Sequence, residues 1–344
     1  MSTTPHGPRN LFGKLRWMGV LLSPLFLVLV ASVLLPMRSR AWSTPAQEEG
    51  AAATHHIRTV FIILMENHNW TGDVRSLNIK GNPAAPYING TLIPMSSYTN
   101  NYSNPPGNHP SLPNYLWLEA GTNFGILNDN DPSSNTQSTT FHLVDQVENA
   151  GLTWKAYEEN IPGTNCPLVN TGPIDPDGDP LYAVRHDPVV YFDDVNGHLN
   201  PNSPRCIAHV RPFSELAQDL KDDTVASYNF ITPNVCDDMH DNCAGNPIAH
   251  GDTWLSKHVP AILDSYAFQS AGVLFITWDE ANNGDGPVPM IVLSPFAKGH
   301  GYTNQLLYTH GSTARTLQEI FGLTPLMRDA KRQQDLSDLF SQFP

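Results

Sequence analysis

The chain has 344 residues, of which 40% are hydrophobic and 15% are charged. This composition is typical of a globular protein and excludes extended disorder as its main character. A formal net charge of −14 argues against a nucleic-acid partner and against electrostatic binding to anionic membranes. An α/β domain can exceed about 200 residues without dividing, so one large domain accounts for the length.

The N-terminus has the features of an export signal. Three basic residues, Arg9, Lys14 and Arg16, precede an uncharged run at residues 17–37, and Ser39-Arg40-Ala41 offers a cleavage site. Residues 1–41 are therefore predicted to be a signal peptide. The run is also long enough to span a bilayer, so an uncleaved anchor with the domain facing outward stays open. Residues 42–56 are expected to form a flexible tether, and residues 57–344 the folded domain of a secreted or otherwise extracytoplasmic protein.

Four cysteines, an even number, favour two disulfides in an oxidising compartment. Cys236 and Cys243 would close a short loop, which leaves Cys166 to pair with Cys206. A cysteine-based metal site is disfavoured because the sequence has no Cys-x-x-Cys spacing.

Apolar runs of strand length alternate with segments of helical periodicity. The predicted strands are residues 57–65, 153–157, 228–232, 272–277 and 288–293. The predicted helices are residues 141–150, 214–220, 253–263 and 313–321, the third capped by Asp252. This alternation predicts an α/β fold with a mainly parallel sheet.

One further helix is predicted to begin within residues 108–121, NHPSLPNYLWLEAG. Pro113 suits a first helical turn, and Tyr115, Leu116 and Leu118 follow as an apolar stripe. Ser111 therefore lies at a helix start, where free N–H groups and the helix dipole favour a bound anion such as phosphate. The alternative is an ordinary capping serine.

Polar side chains follow two of the predicted strands. Glu66 and Asn67 come after residues 57–65, and Asp279 and Glu280 come after residues 272–277. Ligands in open α/β sheets bind at the carboxyl ends of the strands. Three carboxylates, an amide and the Ser111 oxygen suit a hard divalent cation, which would lower the pKa of the serine and stabilise a transferring phosphoryl group.

Two irregular segments carry further polar residues. Residues 161–211 are rich in Pro, Asp and Asn and are predicted to form a loop-rich insertion, in which His186 and His198 are expected to be surface histidines rather than ligands. The loop at residues 233–241 contains Cys236, and its polar residues Asp237, Asp238, His240 and Asp241 lie between the paired Cys236 and Cys243. Such a loop is either an ordinary solvated loop or a functional site that the disulfide holds rigid.

Five motifs in order, ILMENHNW, NHPSLPNYLWLEAG, ITPNVCDDMHD, ITWDE and THGS, resemble the phosphoesterase family of secreted acid phosphatases and phospholipases C. The resemblance covers roughly residues 57–322 and is closer to the short acid phosphatases, because phospholipases C are longer and read Asp-His-Pro near His240. It implies a three-layer α/β/α sandwich of the alkaline-phosphatase-like type.

The resemblance also implies roles for the candidate residues. Ser111 matches the family's nucleophile, and the matching metal ligands are Glu66, Asn67, Asp279 and Glu280, joined by Ser111. The turn Ser-Leu-Pro-Asn is similar to that of nucleotide pyrophosphatases, which implies phosphate binding by Asn114. His109 and His310 are further candidates for phosphate binding. His240 is expected to contact the phosphoryl oxygens or to protonate the leaving group.

The predicted function is therefore hydrolysis of phosphate monoesters by an exported, metal-dependent phosphatase with a serine nucleophile. The cation could be Mg²⁺, Ca²⁺, Mn²⁺ or Zn²⁺, and the substrate a small-molecule or lipid phosphate ester, including a phosphoinositide. One alternative is a phosphodiesterase of the phospholipase C type. A second is a non-enzymatic, calcium-dependent surface-binding protein, which would need neither Ser111 nor His240.

Overall fold

The computed structural model describes residues 55–344. The predicted signal peptide or anchor, and the tether up to residue 54, lie outside the described residues. No helix within residues 55–344 is both long and apolar enough to cross a membrane. The two predicted disulfides, Cys166–Cys206 and Cys236–Cys243, are both confirmed. Disulfides fit an oxidising, extracytoplasmic compartment.

Twelve strands occur in the described part of the chain. They are β1 (Thr59–Met65), β2 (Ser97–Thr99), β3 (Tyr102–Ser103), β4 (Trp154–Glu158), β5 (Thr171–Ile174), β6 (Pro180–Tyr182), β7 (Val210–Pro212), β8 (Tyr228–Thr232), β9 (Gly272–Trp278), β10 (Met290–Leu293), β11 (Tyr302–Asn304) and β12 (Tyr308–Thr309). Eight of them form the central sheet in the order β11-β2-β10-β9-β1-β8-β4-β7. The remaining four pair as β12 with β3 and β5 with β6.

The central sheet is mainly parallel, as predicted. Only β10 runs against its neighbours β9 and β2, and the other paired strands of this sheet are parallel. Strand β9 is buried along its whole length, and β1 is buried from its second residue on. Burial on both faces explains why these two strands are continuous apolar runs rather than alternating ones.

Seven helices have six or more residues in the described chain. They are α1 (Ser111–Ala120), α2 (Leu143–Asn149), α3 (Pro204–His209), α4 (Leu216–Asp222), α5 (Pro247–Leu263), α6 (Tyr266–Ala271) and α7 (His310–Ile320). Helix α1 packs against α7 and α2, whereas α5 packs against α4 and α6. Two helix groups around one sheet make the predicted α/β/α sandwich.

Helix α5 begins earlier than the sequence analysis predicted. Asp252 is not its cap but lies inside the helix, where its carboxylate accepts the N–H groups of Tyr87 and Ile88. Asn246 caps the helix instead by accepting the N–H of Ala249. Pro247, at the first helical position, is a start signal that the prediction overlooked.

The insertion at residues 161–211 contains the β5–β6 hairpin, α3 and several single turns. The described chain also has helices of fewer than six residues, both inside and outside this insertion. They are Arg75–Leu77, Ile88–Leu92, Ile93–Met95, Pro132–Asn135, Val184–His186, Pro188–Tyr191, Asp193–Asn196, Phe213–Glu215, Asp329–Lys331 and Ser337–Leu339. The turn at Val184–His186 contacts α1, and it therefore brings part of the insertion beside Ser111.

Candidate active site

The site forms where three adjacent parallel strands end. Strand β1 lies between β8 and β9 in the sheet, so the segments that follow these strands leave the same edge. Glu66 follows β1, Asp279 follows β9, and Asp238 lies in the loop that follows β8. All three carboxyl groups are buried.

Ser111 is the first residue of α1, as the sequence predicted. Its Oγ donates a hydrogen bond of 2.8 Å to Glu66 Oε2, and only 2% of the residue is exposed. Helix α1 ends at Gly121, whose left-handed φ of 68° favours glycine. The helix therefore holds the hydroxyl group against the carboxylate that follows the central strand.

The carboxyl groups of this site are short of positive partners. Burial, together with the nearby Asp279 and Asp238 carboxylates, raises the pKa of Glu66 well above its usual value. Burial likewise raises the pKa of Asp238, and it raises that of Asp279 to about 6. Buried carboxylates are normally paired with a cation or bind a metal. The donor set therefore fits a divalent cation.

Unpaired oxygen atoms support the same reading. The backbone N–H of Asn67 donates to Asp279 Oδ1 at 3.1 Å, which holds the Asp279 carboxylate against the segment that follows β1. Among residues 55–344, Glu66 Oε1, Asn67 Oδ1 and Asp279 Oδ2 are buried and accept no hydrogen bond, although His186 Nε2 lies 3.2 Å from Glu66 Oε1. Buried oxygens of this kind after β1 and β9 match the ligand type that hard cations prefer.

Glu280, which the sequence analysis also placed among the metal ligands, follows Asp279 directly and contacts two further residues. Its Oε2 is 2.6 Å from His109 Nδ1 and accepts a 3.0 Å hydrogen bond from Asn114 Nδ2. Burial, Asp279 and Asp129 raise the pKa of Glu280 to about 9. Its contacts place Glu280 in a polar network with His109 and Asn114, close enough to Asp279 for that carboxylate to act on its pKa.

His310 also differs from expectation. Its Nε2 donates to the backbone carbonyl of Asp279, and its Nδ1 lies 2.9 Å from the Tyr102 hydroxyl. Both ring nitrogens are thus occupied by the protein, which leaves neither for a phosphate. Burial lowers the pKa of His310 to about 4, so the ring is neutral. His310 therefore contacts the backbone of Asp279, one of the predicted metal ligands.

His186 is buried, which corrects the prediction of a surface histidine; His198, with its side chain 84% exposed, does lie on the surface. The His186 ring lies between two carboxyl groups, with Nε2 3.2 Å from Glu66 Oε1 and Nδ1 3.1 Å from Asp238 Oδ2. It also stacks on Tyr115, with 5.2 Å between ring centroids. The irregular insertion has no period from which this burial could be predicted.

His240 enters the site from the loop after β8, as expected. One ligand atom each from Glu66, His186 and His240 lies within 4.8 Å of the others, a grouping that could also hold a metal ion. A cavity of about 440 Å³ is lined by His240, Asn67, His109 and Glu280, among others. Asn67 and Glu280 directly follow Glu66 and Asp279 in the chain, so this cavity lies next to the site.

Comparisons with known proteins agree with this site. The sequence profile of the family described as "Phosphoesterase family" matches residues 100–324, more than half of the chain. The chain belongs to the phosphoesterase family. The matched segment of this phosphoesterase includes Ser111, Asp238, His240 and Asp279, whereas Glu66 lies before it. Membership confirms the resemblance inferred from the motifs and the enzyme class, a phosphoric ester hydrolase.

The sequence of this phosphoesterase is similar to the sequences of two relatives of named activity. It is 27% identical over 297 residues to a phosphatidylinositol-3-phosphatase of Mycobacterium tuberculosis, covering 86% of each chain. It is 28% identical over 232 residues to the phosphate-repressible acid phosphatase of Penicillium chrysogenum, covering 64% of this chain and 51% of the relative. The chain thus spans about half the length of the fungal acid phosphatases to which it is similar.

Solved structures confirm the fold. The phosphonate monoester hydrolase of Agrobacterium radiobacter covers 83% of this phosphoesterase, with a TM-score of 0.50 and 12% identity. Human ectonucleotide pyrophosphatase/phosphodiesterase 5 also covers 83%, with a TM-score of 0.51 and 11% identity. At these identities the likeness shows an alkaline-phosphatase-like architecture and nothing about substrate.

Proposed function

We propose that this phosphoesterase is an exported, metal-dependent phosphatase that hydrolyses phosphate monoesters through Ser111. The observation that carries the proposal is the 2.8 Å hydrogen bond from Ser111 Oγ to the buried Glu66, at a helix start beside Asp279. A hydroxyl group is a weak nucleophile until a neighbouring base or metal activates it. The arrangement of Ser111 and Glu66 supplies such a neighbour.

The residues that would hold a divalent cation are Glu66, Asn67 and Asp279, with the Ser111 oxygen next to them. Their unpaired buried oxygens and the raised pKa values of the two carboxyls support this set. When bound, the cation would lower the pKa of the serine and offset charge on the phosphoryl group. His186, whose Nε2 lies 3.2 Å from Glu66 Oε1, is close enough to add a further ligand.

The chain's own groups then account for the two steps. Ser111 Oγ attacks phosphorus as its proton passes to Glu66, the bond from phosphorus to the leaving-group oxygen breaks, and that oxygen takes a proton from water to leave as the alcohol. Water next attacks the phosphoserine, which releases inorganic phosphate and restores the serine. The first N–H groups of α1 and the amide of Asn114 belong to the same helix start as Ser111, and we propose that they hold the phosphoryl oxygens once their present partners are displaced.

The names of the relatives favour a monoester substrate, since one is a phosphatidylinositol-3-phosphatase and another an acid phosphatase. A lipid phosphomonoester such as a phosphoinositide is therefore a candidate beside small phosphate esters. Export is supported by the two disulfides and by the charge pattern of the N-terminus.

The test is turnover of p-nitrophenyl phosphate, bis-p-nitrophenyl phosphate and phosphatidylinositol 3-phosphate, with and without chelator. We expect the two monoesters to be hydrolysed, chelation to stop hydrolysis, and Ser111→Ala to abolish it while the loss of one buried hydrogen bond costs about 1 to 3 kcal/mol of stability. The exposed Ser134→Ala is the matched control.

Each alternative has its own outcome in this test. Near wild-type activity of Ser111→Ala would refute the nucleophile, and activity that survives chelation would refute the metal requirement. Preferential hydrolysis of the diester would favour a phospholipase C-type enzyme. Absence of turnover together with calcium binding would favour the surface-binding protein.

A further inference from the structure

Arg185 is a cation in contact with the site that the sequence did not indicate. It belongs to the turn Val184–His186, directly before the buried His186. Its Nη2 lies 3.3 Å from His240 Nε2, and its Nε lies 3.8 Å from Asp129 Oδ2. Its side chain is 18% exposed, so the guanidinium group is largely enclosed between these partners.

Asp129 occupies a particular place at the start of α1. Its Oδ1 accepts a 3.0 Å hydrogen bond from the N–H of Leu112, the residue that follows Ser111. The first N–H groups of a helix have no partner within the helix and attract anions. The Asp129 carboxylate therefore occupies the N–H group of Leu112. The oxygens of a phosphoryl group on Ser111 would compete with it for this N–H group.

The two residues form one unit with opposite charges. Asp129 holds the helix N–H with one oxygen and faces Arg185 with the other. A phosphoryl group offers oxygens to both an N–H group and a guanidinium, as a carboxylate does, and it carries more charge. Such a group could replace Asp129 at both partners without leaving either unpaired.

We infer that Asp129 is an internal competitor for the phosphoryl site and that Arg185 recognises the phosphoryl oxygens once Asp129 is displaced. This inference rests on the proposed function and adds to it the residues that set phosphate affinity. His240 is then a positioning residue for Arg185, because its Nε2 can accept the hydrogen bond of the guanidinium.

The inference predicts opposite effects from two substitutions. Asp129→Asn keeps the size of the side chain but removes its charge, so phosphate should displace it more easily and bind about tenfold more tightly. Arg185→Met removes the charge-assisted hydrogen bonds and should weaken phosphate binding roughly tenfold or more. Arg185→Lys should recover part of this loss, since lysine keeps the charge but not the planar fork.

The experiment is calorimetric titration of inorganic phosphate into the wild-type chain and these variants, with Mg²⁺ present. Asp131→Asn removes the same charge two residues along the loop, and Arg75→Met removes an exposed arginine; both should bind phosphate like the wild type. Thermal unfolding of each variant shows whether it is folded. A general structural defect would weaken binding but would not strengthen it.

Equal or weaker phosphate binding by Asp129→Asn would overturn the competitor role and leave Asp129 as a loop anchor. Unchanged binding by Arg185→Met would overturn phosphate recognition by Arg185. Turnover of p-nitrophenyl phosphate by the wild type tests the proposed function separately. Turnover without the expected order of affinities refutes this inference alone, whereas that order without turnover refutes the proposed function alone.

Discussion

The two ring nitrogens of His240 have different partners, and these decide what the ring can do. Nδ1 lies 2.6 Å from the Asp241 carboxylate, which can only accept a hydrogen bond, whereas Nε2 faces the Arg185 guanidinium, which can only donate. The proton therefore belongs on Nδ1. With Arg185 in this place, Nε2 has no proton to give to a leaving group.

This tautomer makes a prediction about leaving groups. His240→Ala should slow hydrolysis of an alkyl phosphate and of p-nitrophenyl phosphate by similar factors, because both need Arg185 held in place. A general acid would matter far more for the alkyl phosphate, whose leaving group needs a proton. Measuring kcat/KM of the variant on both substrates decides the matter. A much larger loss on the alkyl phosphate would restore His240 as the acid.

At the scale of elements, the site depends on how the loop after β8 is held. The Cys236–Cys243 disulfide closes this loop around His240. The loop is also fastened to the segment between β5 and β6, because the N–H of Cys243 donates to Asp177 Oδ2 at 2.8 Å. The site residues that follow β1 and β9 and the serine that begins α1 need no such cross-link, because these regular elements are packed in the core.

Removing this disulfide should therefore lower activity as well as stability. In Cys236→Ser/Cys243→Ser, the loss of one short cross-link should cost about 2 to 3 kcal/mol of unfolding free energy. Because the loop that carries His240 is released, kcat/KM should also fall, by about tenfold. Urea unfolding and p-nitrophenyl phosphate kinetics measure the two effects.

The control for the disulfide variant is Leu216→Ala in α4, a core truncation outside the site that should cost about 2 to 5 kcal/mol. Its folded fraction should keep wild-type kcat/KM. If the disulfide variant also keeps it, the loop does not need the cross-link to present His240.

For the molecule as a whole, a buried charge cluster joins the helix that carries the serine to the insertion. His142 Nδ1 lies 2.9 Å from Glu119 Oε1 at the end of α1, and its Nε2 lies 3.2 Å from Asp194 Oδ2. Arg205 of α3 donates to the same Asp194 carboxylate at 2.7 Å. Burial by itself would lower the pKa of His142, but the hydrogen bonds to Asp194 and Glu119 outweigh it and raise the pKa to about 9.

This cluster predicts how stability depends on pH. Since the pKa of His142 is higher in the folded chain than its ordinary 6.5, its stabilising contribution is complete below pH 6.5 and is lost as pH rises through about 9. The loss should be of the order of 3 kcal/mol. His142→Gln should be less stable at low pH and should lack this decline. Urea unfolding across the interval measures both, and parallel curves for the two proteins would contradict the prediction.

Much of this architecture follows from local signals along the chain. The apolar runs that became β1 and β9 and the Ser111 helix start were predicted because each depends on neighbouring residues. The pairing of the four cysteines needed only their spacing and number. Glu66, Asn67 and Asp279 could be placed together because parallel strands end at one edge of a sheet.

The tertiary structure alone decided which other groups reach that edge. Arg185 and His186 lie in an irregular insertion, and Arg185 contacts His240, which is 55 residues away in the sequence. A periodic pattern of residues cannot predict such a long-range contact. Glu280, next to Asp279, turns to His109, and His310 turns to a backbone carbonyl, because each buried polar group takes the partner that the packing places nearest. The sequence by itself therefore determined the strands, the serine and the chemistry of the donor atoms, whereas long-range packing decided which side chains surround them.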